Sequence, residues 1–371
     1  MKPKILFTAS VPRHIRAFHL PYLKWFQDQG YETHVACNEV ENLPYIYKFW
    51  KVDFSRNPFS YENIKAYNQL KKIIDSENYV LINCHTPAAS VVTRLAAKKA
   101  RKKGTKLLYT AHGFHFYKGA PKIYWALFYP IELFLSHYTD AIITINQEDF
   151  SRIKDNGSSK TDYYLIPGIG VNNERFFPMN TTEKIELRQQ LNFDINKKIL
   201  IYAAEFIDRK NHQFIINAVF QNKSFFKDKL ILFAGKGILE SALKKNVIEN
   251  KLEDVIQFIG YRKDIDKIFQ LADVGISSSK QEGLPINMVE AMMCGLPIVS
   301  SKVRGHVDLI NNTIDGFLFE QENYSQFIHV IEEVLDSNKY EQLKIHALEK
   351  SKKFELSNSL FEMSKIYKKY L

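Results

Sequence analysis

Two carboxylates, Glu282 and Glu290, stand eight positions apart across the predicted start of a helix. Pro285 suits the first turn of that helix, because its missing N–H is one that the helix could not bond. Gly295 suits the C-terminal stop. The free N–H groups at the helix start, with the positive end of the helix dipole, favour an anion such as phosphate. Carboxylates beside such an anion site suit a ligand that carries both phosphate and hydroxyl groups, and a nucleotide sugar is such a ligand.

The elements that must position these residues alternate between strand and helix along the whole chain. In the first half, runs typical of buried strands occupy residues 5–8, 33–36, 80–83, 106–110, 141–145 and 163–166. In the second half they occupy residues 199–203, 230–234, 255–258, 274–277 and 298–300. Amphipathic helical patterns lie between them, for example at residues 18–29 and 88–102. This alternation predicts doubly wound parallel sheets that bind ligands at the carboxyl ends of their strands.

Length and composition are those of a globular protein with two domains. The chain has 371 residues, of which 45% are hydrophobic and 25% charged. Cys37, Cys84 and Cys294 are scattered without metal spacing and are expected to be reduced thiols of a cytoplasmic protein. The N-terminus shows no signal-peptide core. An apolar run at residues 124–135 is too short to span a bilayer, so no transmembrane helix is expected.

The positive charge is concentrated in the first half. The net charge is +10, and residues 1–180 hold 24 Lys and Arg against 15 Asp and Glu, or +9, which leaves 27 against 26, or +1, for the remainder. The densest part is residues 98–106. A basic half can bind nucleic acid or an anionic membrane surface, and no nucleic-acid module is recognisable. A solvated helix end explains any single basic run, but the asymmetry of the whole half favours membrane contact.

One extended pattern resembles a known family. The sequence ADVGISSSKQEGLP at residues 272–285, followed by Glu290-Ala291 and GLPIV at residues 295–299, resembles the C-terminal signature of the family 4 retaining glycosyltransferases. The segment TAHGFHFY at residues 110–117 looks most like members that build bacterial capsule, exopolysaccharide or lipid-linked oligosaccharides on a polyprenyl-diphosphate carrier.

The resemblance implies the GT-B fold, in which two Rossmann-like doubly wound α/β domains face each other across a cleft. It places an acceptor-side domain at residues 1–175 and a nucleotide-sugar-binding domain at residues 176–352. A C-terminal helix at about residues 353–371 is expected to pack back on the first domain.

Donor-binding roles follow from the resemblance. Glu290 would accept hydrogen bonds from the ribose diol, and Glu282 would hold hydroxyls of the transferred sugar beside the amides of Gly283 and Leu284. Lys210 would neutralise the donor diphosphate, which is the leaving group. Gly235, Tyr261 and Arg262 would border the nucleotide base.

The residue that supplies a second positive charge to the diphosphate is not decided by the sequence. Many relatives have an arginine five residues before the lysine, where this chain has Glu205. Arg209 is the alternative source of that charge, and a side chain facing solvent is the other interpretation.

Acceptor-side roles belong to the first half. His112, with Lys210 and Glu282, completes the predicted catalytic set, because the family places a histidine against the donor sugar. The acceptor-side candidates are His115, Lys118, Arg13 and His14. The first loop lacks the glycines that let the backbones of relatives approach the diphosphate. A satisfied packing residue is the competing interpretation for any lone histidine.

The predicted activity is retaining, metal-independent transfer of a hexosyl or N-acetylhexosaminyl group. The donor is a nucleotide diphosphate sugar, expected to be UDP-linked, and the acceptor is a lipid-linked saccharide. No cofactor is expected, no residue cluster has the spacing of a metal site, and Asp264 and Asp266 are assigned to a helix start. The enzyme is expected in the cytoplasm, peripheral on the inner face of the plasma membrane. The alternatives are a nucleotide-sugar 2-epimerase and a non-catalytic, membrane-docked partner of a synthesis complex.

Overall fold

Short apolar runs separated by amphipathic helices build one parallel sheet in each half of the chain. The computed structural model describes residues 2–57 and 60–371. They form two units, Met1–Ile169 with Ser357–Leu371, and Gly170–Leu356. The second unit starts six residues before the predicted boundary, because the backbone of Val171 is hydrogen-bonded to Phe354 and Leu356.

In the described part of the first unit, seven parallel strands lie in the order β3-β2-β1-β4-β5-β6-β7. The strands are β1 (Lys4–Thr8), β2 (Glu32–Cys37), β3 (Lys48–Lys51), β4 (Leu81–His85), β5 (Lys106–Ala111), β6 (Ala141–Thr144) and β7 (Asp162–Leu165). The helices are α1 (Pro12–Phe18), α2 (Leu20–Asp28), α3 (Glu62–Glu77), α4 (Pro87–Ala96), α5 (Lys98–Lys102), α6 (Lys122–Ser136) and α7 (Gln147–Asn156). The strand order reverses between β1 and β4, where open sheets of this class bind their ligands.

In residues 170–356, all of which the structure describes, six parallel strands lie in the order β10-β9-β8-β11-β12-β13. The strands are β8 (Lys198–Ala203), β9 (Lys229–Ala234), β10 (Ile256–Gly260), β11 (Val274–Ser277), β12 (Ile298–Ser301) and β13 (Gly316–Phe319). The helices are α8 (Thr181–Gln190), α9 (His212–Gln221), α10 (Lys223–Phe226), α11 (Glu240–Glu249), α12 (Ile265–Leu271), α13 (Ile286–Met293), α14 (His306–Leu309), α15 (Tyr324–Leu335) and α16 (Ser337–Ser351). Here the order reverses between β8 and β11. The prediction of doubly wound parallel sheets is confirmed for both halves.

Two strands and two helix interruptions were not predicted. Edge strand β3 has the sequence KFWK and is only partly buried, so it lacks an apolar run. β13 is buried but begins with glycine, which is unfavourable in strands. The predicted helix at residues 18–29 starts later, because His19 is non-helical and Pro21 lies in the first turn of α2. The predicted helix at residues 88–102 is divided at Ala97 into α4 and α5.

The last helix, α17 (Leu356–Tyr370), is grouped with the first unit. Tyr367 is 1% exposed, and its ring lies 4.7 Å from that of Phe26 and 5.7 Å from that of Trp25. Its hydroxyl accepts a hydrogen bond of 2.9 Å from the amide of Asn83, in β4. One aromatic side chain therefore anchors the end of the chain to the first sheet.

Among the residues that the structure describes, no helix combines the length and the hydropathy needed to cross a bilayer.

We predict that Tyr367→Ala destabilises the first unit by about 3–5 kcal/mol, because it removes a buried aromatic ring and leaves a cavity. Tyr367→Phe is expected to lose about 1–2 kcal/mol, because the Asn83 amide is left without its acceptor. Denaturant unfolding monitored by near-UV circular dichroism measures both. Lys368→Ala, at an exposed position of the same helix, is the control. An unchanged unfolding midpoint for Tyr367→Ala would show that α17 does not stabilise the unit.

Candidate nucleotide-sugar site

The loops after β8 and β11 are joined by a buried tyrosine. The hydroxyl of Tyr202, in β8, donates to the carbonyl of Lys210 at 2.6 Å and lies 2.9 Å from the hydroxyl of Ser279. The N–H of Lys280 donates to the carbonyl of Arg209 at 2.8 Å. These bonds hold the short 3-10 helix Asp208–Lys210 against the loop that carries Glu282. Sequence reasoning had not assigned a role to Tyr202 or Ser279.

Glu282 is a buried carboxylate paired with two cations. Its side chain bonds to the ammonium of Lys210, and the guanidinium of Arg209 lies 3.2 Å from its second oxygen. Burial alone would raise the pKa of this carboxyl, but Lys210 and Arg209 outweigh that effect and lower the pKa to about 2. The group is therefore ionised at neutral pH. One negative charge faces two positive charges, so the cluster keeps an excess positive charge.

Arg209 combines features of both interpretations of its side chain. Its guanidinium donates to the carbonyl of Gln281 at 2.9 Å as well as contacting Glu282, while 41% of its side chain is exposed. The side chain is therefore held in the cluster and also reachable from solvent. Glu205, which replaces the arginine of relatives, is exposed.

The backbone of Gly305 packs closely against the loop that contains Gly283 and Leu284. A Cβ on Gly305, which has φ +82°, would lie 2.5 Å from the carbonyl oxygen of Gly283. The guanidinium of Arg304, also absent from the predicted set, donates to the main-chain carbonyl of Glu282 at 3.1 Å. α13 begins at Ile286, so Pro285 precedes the first turn and does not lie in it as predicted. The start of α13 nevertheless lies at the carboxyl ends of the strands.

Glu290 lies one turn into α13 and is half-buried. Burial raises the pKa of its carboxyl to about 8, although the charge of Arg175 acts in the opposite direction. At neutral pH this carboxyl is therefore mostly protonated, in contrast to Glu282. The surroundings of the two predicted carboxylates therefore shift their pKa values in opposite directions.

The residues predicted to border the base lie on neighbouring loops. A Cβ on Gly235, which follows β9, would lie 1.9 Å from the carbonyl oxygen of Ala204, so glycine permits contact between the loops after β8 and β9. Tyr261 is 65% exposed. Arg262 pairs with Asp264 at 2.7 Å rather than with the Glu282 cluster. Asp264 directly precedes α12, as predicted.

His112 follows β5 in the first unit and belongs to a group of four histidines that sequence reasoning missed. The ring of His14 lies 4.5 Å from that of His112, and the rings of His19 and His85 stack at 3.7 Å. One ring nitrogen from each of the four histidines lies within 4.8 Å of those of the others. No spacing rule could have found the group, because its members come from separate segments.

The other acceptor-side candidates do not share one location in the structure. Arg13 and Lys118 are exposed. His115 stacks on Phe128 at 4.7 Å and lines a mainly apolar cavity of about 170 Å³ between α4 and α6. Of the candidates, the structure thus groups His14 with His112 and places His115 at the cavity.

Comparison with known proteins identifies the family of the chain. Residues 4–146 match the family model described as Glycosyl transferase 4-like, and residues 183–350 match Glycosyl transferases group 1. The chain is 40% identical over 372 residues to EpsD of Bacillus subtilis (strain 168), itself a candidate glycosyltransferase, covering 100% of this chain and 98% of that one.

Two further matches are more distant. The chain is 27% identical over 320 residues to the UDP-Gal:alpha-D-GlcNAc-diphosphoundecaprenol alpha-1,3-galactosyltransferase of Escherichia coli, covering 83% of this chain and 81% of that one. The crystal structure of Anabaena Alr3699/HepE in complex with UDP and glucose matches with a TM-score of 0.81 and 19% identity, covering 99% of this chain and 100% of that one. The fold, the two family models and the full-length match to EpsD together show that the chain belongs to the family 4 glycosyltransferases, which have the GT-B fold.

Proposed function

We propose that this glycosyltransferase moves a hexosyl or N-acetylhexosaminyl group from a UDP-sugar to a hydroxyl of a polyprenyl-diphosphate-linked saccharide, in the biosynthesis of a cell-surface polysaccharide. The observation that carries the proposal is the cluster of Lys210, Arg209 and Glu282 at the start of α13. The E. coli relative, whose name gives a UDP-Gal donor and a diphosphoundecaprenol acceptor, supports the substrate classes.

The charges of the cluster suit a diphosphate. In the free protein, Glu282 compensates one of the two positive charges of Lys210 and Arg209, so the cations are held in place without a ligand. The excess positive charge and the N–H groups at the start of α13 then meet the diphosphate. Glu282, whose carboxylate has more acceptor sites than these two donors fill, is left to accept hydrogen bonds from sugar hydroxyls.

The reaction proposed here keeps the anomeric configuration. The acceptor oxygen attacks the anomeric carbon from the face that the phosphate leaves, the bond from that carbon to the phosphate oxygen breaks, and the departing phosphate takes the acceptor proton. Lys210 stabilises the charge that develops on the leaving group, so the transfer itself requires neither a protein nucleophile nor a metal ion. His112 is proposed to contact the donor sugar.

The prediction for catalysis is that Lys210→Ala lowers turnover by about 100-fold or more, because it removes a fixed charge that stabilises the leaving group. Transfer of radiolabelled sugar to a lipid-linked acceptor measures it, with donor consumption recorded with and without acceptor. Lys280→Ala is the matched control, because Lys280 lies in the Glu282 loop but pairs with Asp208. Near-wild-type transfer by a folded Lys210→Ala variant would contradict the proposal, and donor consumption that does not need acceptor would favour the epimerase.

The raised pKa of Glu290 predicts that donor binding depends on pH. Accepting both ribose hydroxyls requires the carboxylate, whereas the free carboxyl is protonated below about pH 8. Binding therefore releases a proton, and affinity for UDP-glucose should rise by up to about tenfold per pH unit from pH 6 and level off above pH 8. The diphosphate diester of this ligand does not titrate in that window. Calorimetric titration measures it, and Glu290→Gln should give a flat profile. The same slope in Glu290→Gln would assign the proton to another group.

We propose that the first unit binds the lipid acceptor and an anionic membrane surface. Helix α6 has the sequence KIYWALFYPIELFLS, and it exposes Ile123, Tyr124 and Phe134 although they are large and apolar. The apolar cavity beside it could take part of a polyprenyl chain. The net charge of +9 over residues 1–180 adds attraction to anionic lipid. These features support a peripheral location on the inner face of the plasma membrane.

Replacing Ile123 and Phe134 together by serine should weaken binding to vesicles of phosphatidylcholine and phosphatidylglycerol by about tenfold or more, because two exposed apolar anchors are lost. Vesicle co-sedimentation measures this. The matched control is Phe220→Ser, which changes an apolar residue of the second unit that is similarly exposed. If the double variant binds vesicles as the wild type does, α6 is not the membrane contact.

A further inference from the structure

Four histidines converge at the edge of the first sheet where the strand order reverses. His14 lies in α1, after β1, and His19 separates α1 from α2. His85 is the last residue of β4, and His112 directly follows β5. One ring nitrogen of each lies within 4.8 Å of those of the others. Parallel strands bring these distant segments together, because their carboxyl ends share one edge.

Each of the four histidines has at least one buried ring nitrogen with no hydrogen-bond partner. The Nε2 atoms of His14, His19 and His112 and both ring nitrogens of His85 are buried and unpaired. His19 is 2% exposed and His85 is 1% exposed. A buried polar atom without a partner destabilises a fold, and natural proteins rarely retain several in one place. Aromatic packing alone does not explain the group, because phenylalanine would fill the same space without unpaired atoms.

The chemistry of the group is that of a ligand set. Burial lowers the pKa of all four imidazoles, that of His112 to about 4, so they are neutral at pH 7 and offer lone pairs. Neutral imidazoles suit zinc and its neighbours in the first transition row, whereas Mg²⁺ and Ca²⁺ take oxygen ligands. An anion would require positive charge, which four neutral rings do not supply.

We propose that His14, His19, His85 and His112 form a binding site for one divalent transition-metal ion of the zinc class. Tetrahedral bonds of about 2.0–2.1 Å separate ligand nitrogens by roughly 3.4 Å. The group, with a spread of 4.8 Å, therefore has to contract on binding, which rotations of the half-buried side chains of His14 and His112 allow. This ion is additional to the transfer chemistry proposed above, which does not use a metal.

Metal binding would also have a consequence for His112, and this consequence rests on the proposed function. Coordination through Nε2 places the remaining proton on Nδ1 and fixes the orientation of the ring. His112 would then present a fixed N–H donor to the donor sugar. The ion would thus be a positioning element that acts through His112.

The test is metal binding by the full-length, tag-free protein after dialysis against a chelator, without donor or acceptor. We expect one equivalent of Zn²⁺ to bind in competition with a chromophoric chelator, and Co²⁺ to give the visible absorption of a tetrahedral complex. His85→Gln and His112→Gln should each weaken Zn²⁺ binding by about 100-fold. Zn²⁺ should also raise the melting temperature of the wild type but not of these variants.

The control is His212→Gln in the second unit, where both ring nitrogens are likewise buried and unpaired but no histidine group is present. This variant should bind one equivalent as the wild type does. His112→Gln keeps the test valid if the deeply buried His85→Gln fails to fold, since His112 is only half-buried. A wild type that binds no stoichiometric metal, or variants that bind it unchanged, would overturn the proposal. Because no substrate is present, these results do not depend on sugar transfer.

Discussion

A buried carboxylate that needs two cations is the constraint on which the second unit depends. Glu282 is 6% exposed, and an ionised group at that depth is tolerated only when it is paired. Its partners, Lys210 and Arg209, come from the loop after β8, whereas Glu282 comes from the loop after β11. The charge therefore binds two loops of neighbouring strands to each other. Tyr202, in the sheet below, hydrogen-bonds to both loops.

The two units place chemistry at the same position of similar sheets. In each one the strand order reverses beside the first strand, between β1 and β4 or between β8 and β11. The second unit fills this edge with charged groups and the start of α13, which suits a charged, polar ligand. The first unit fills it with neutral imidazoles. Thr86, next to His85, has φ +60°, which is unusual for a β-branched residue and typical of functional sites.

Much of the fold and half of the candidate site could be predicted from the sequence. Eleven strands were found from their sequence patterns, whereas β3 is partly exposed with a lysine at each end and β13 begins with glycine, which is unfavourable in strands. The helix after Glu282 was found because its stop signal and the following strand are local in sequence. The pairing of Arg209 with Glu282 was not decided by spacing, since it depends on where two loops meet. The histidine group was missed for the same reason.

The central claim is that the charged cluster of the second unit binds a nucleotide diphosphate sugar. The most direct test is a thermal-shift panel of UDP-, GDP- and dTDP-linked sugars against the wild type and Lys210→Ala, because a ligand of the native state raises the melting temperature by mass action. We predict that at least one UDP-sugar raises the melting temperature of the wild type and that Lys210→Ala loses most of that shift. No shift with any nucleotide sugar, or an equal shift in both proteins, would contradict the account.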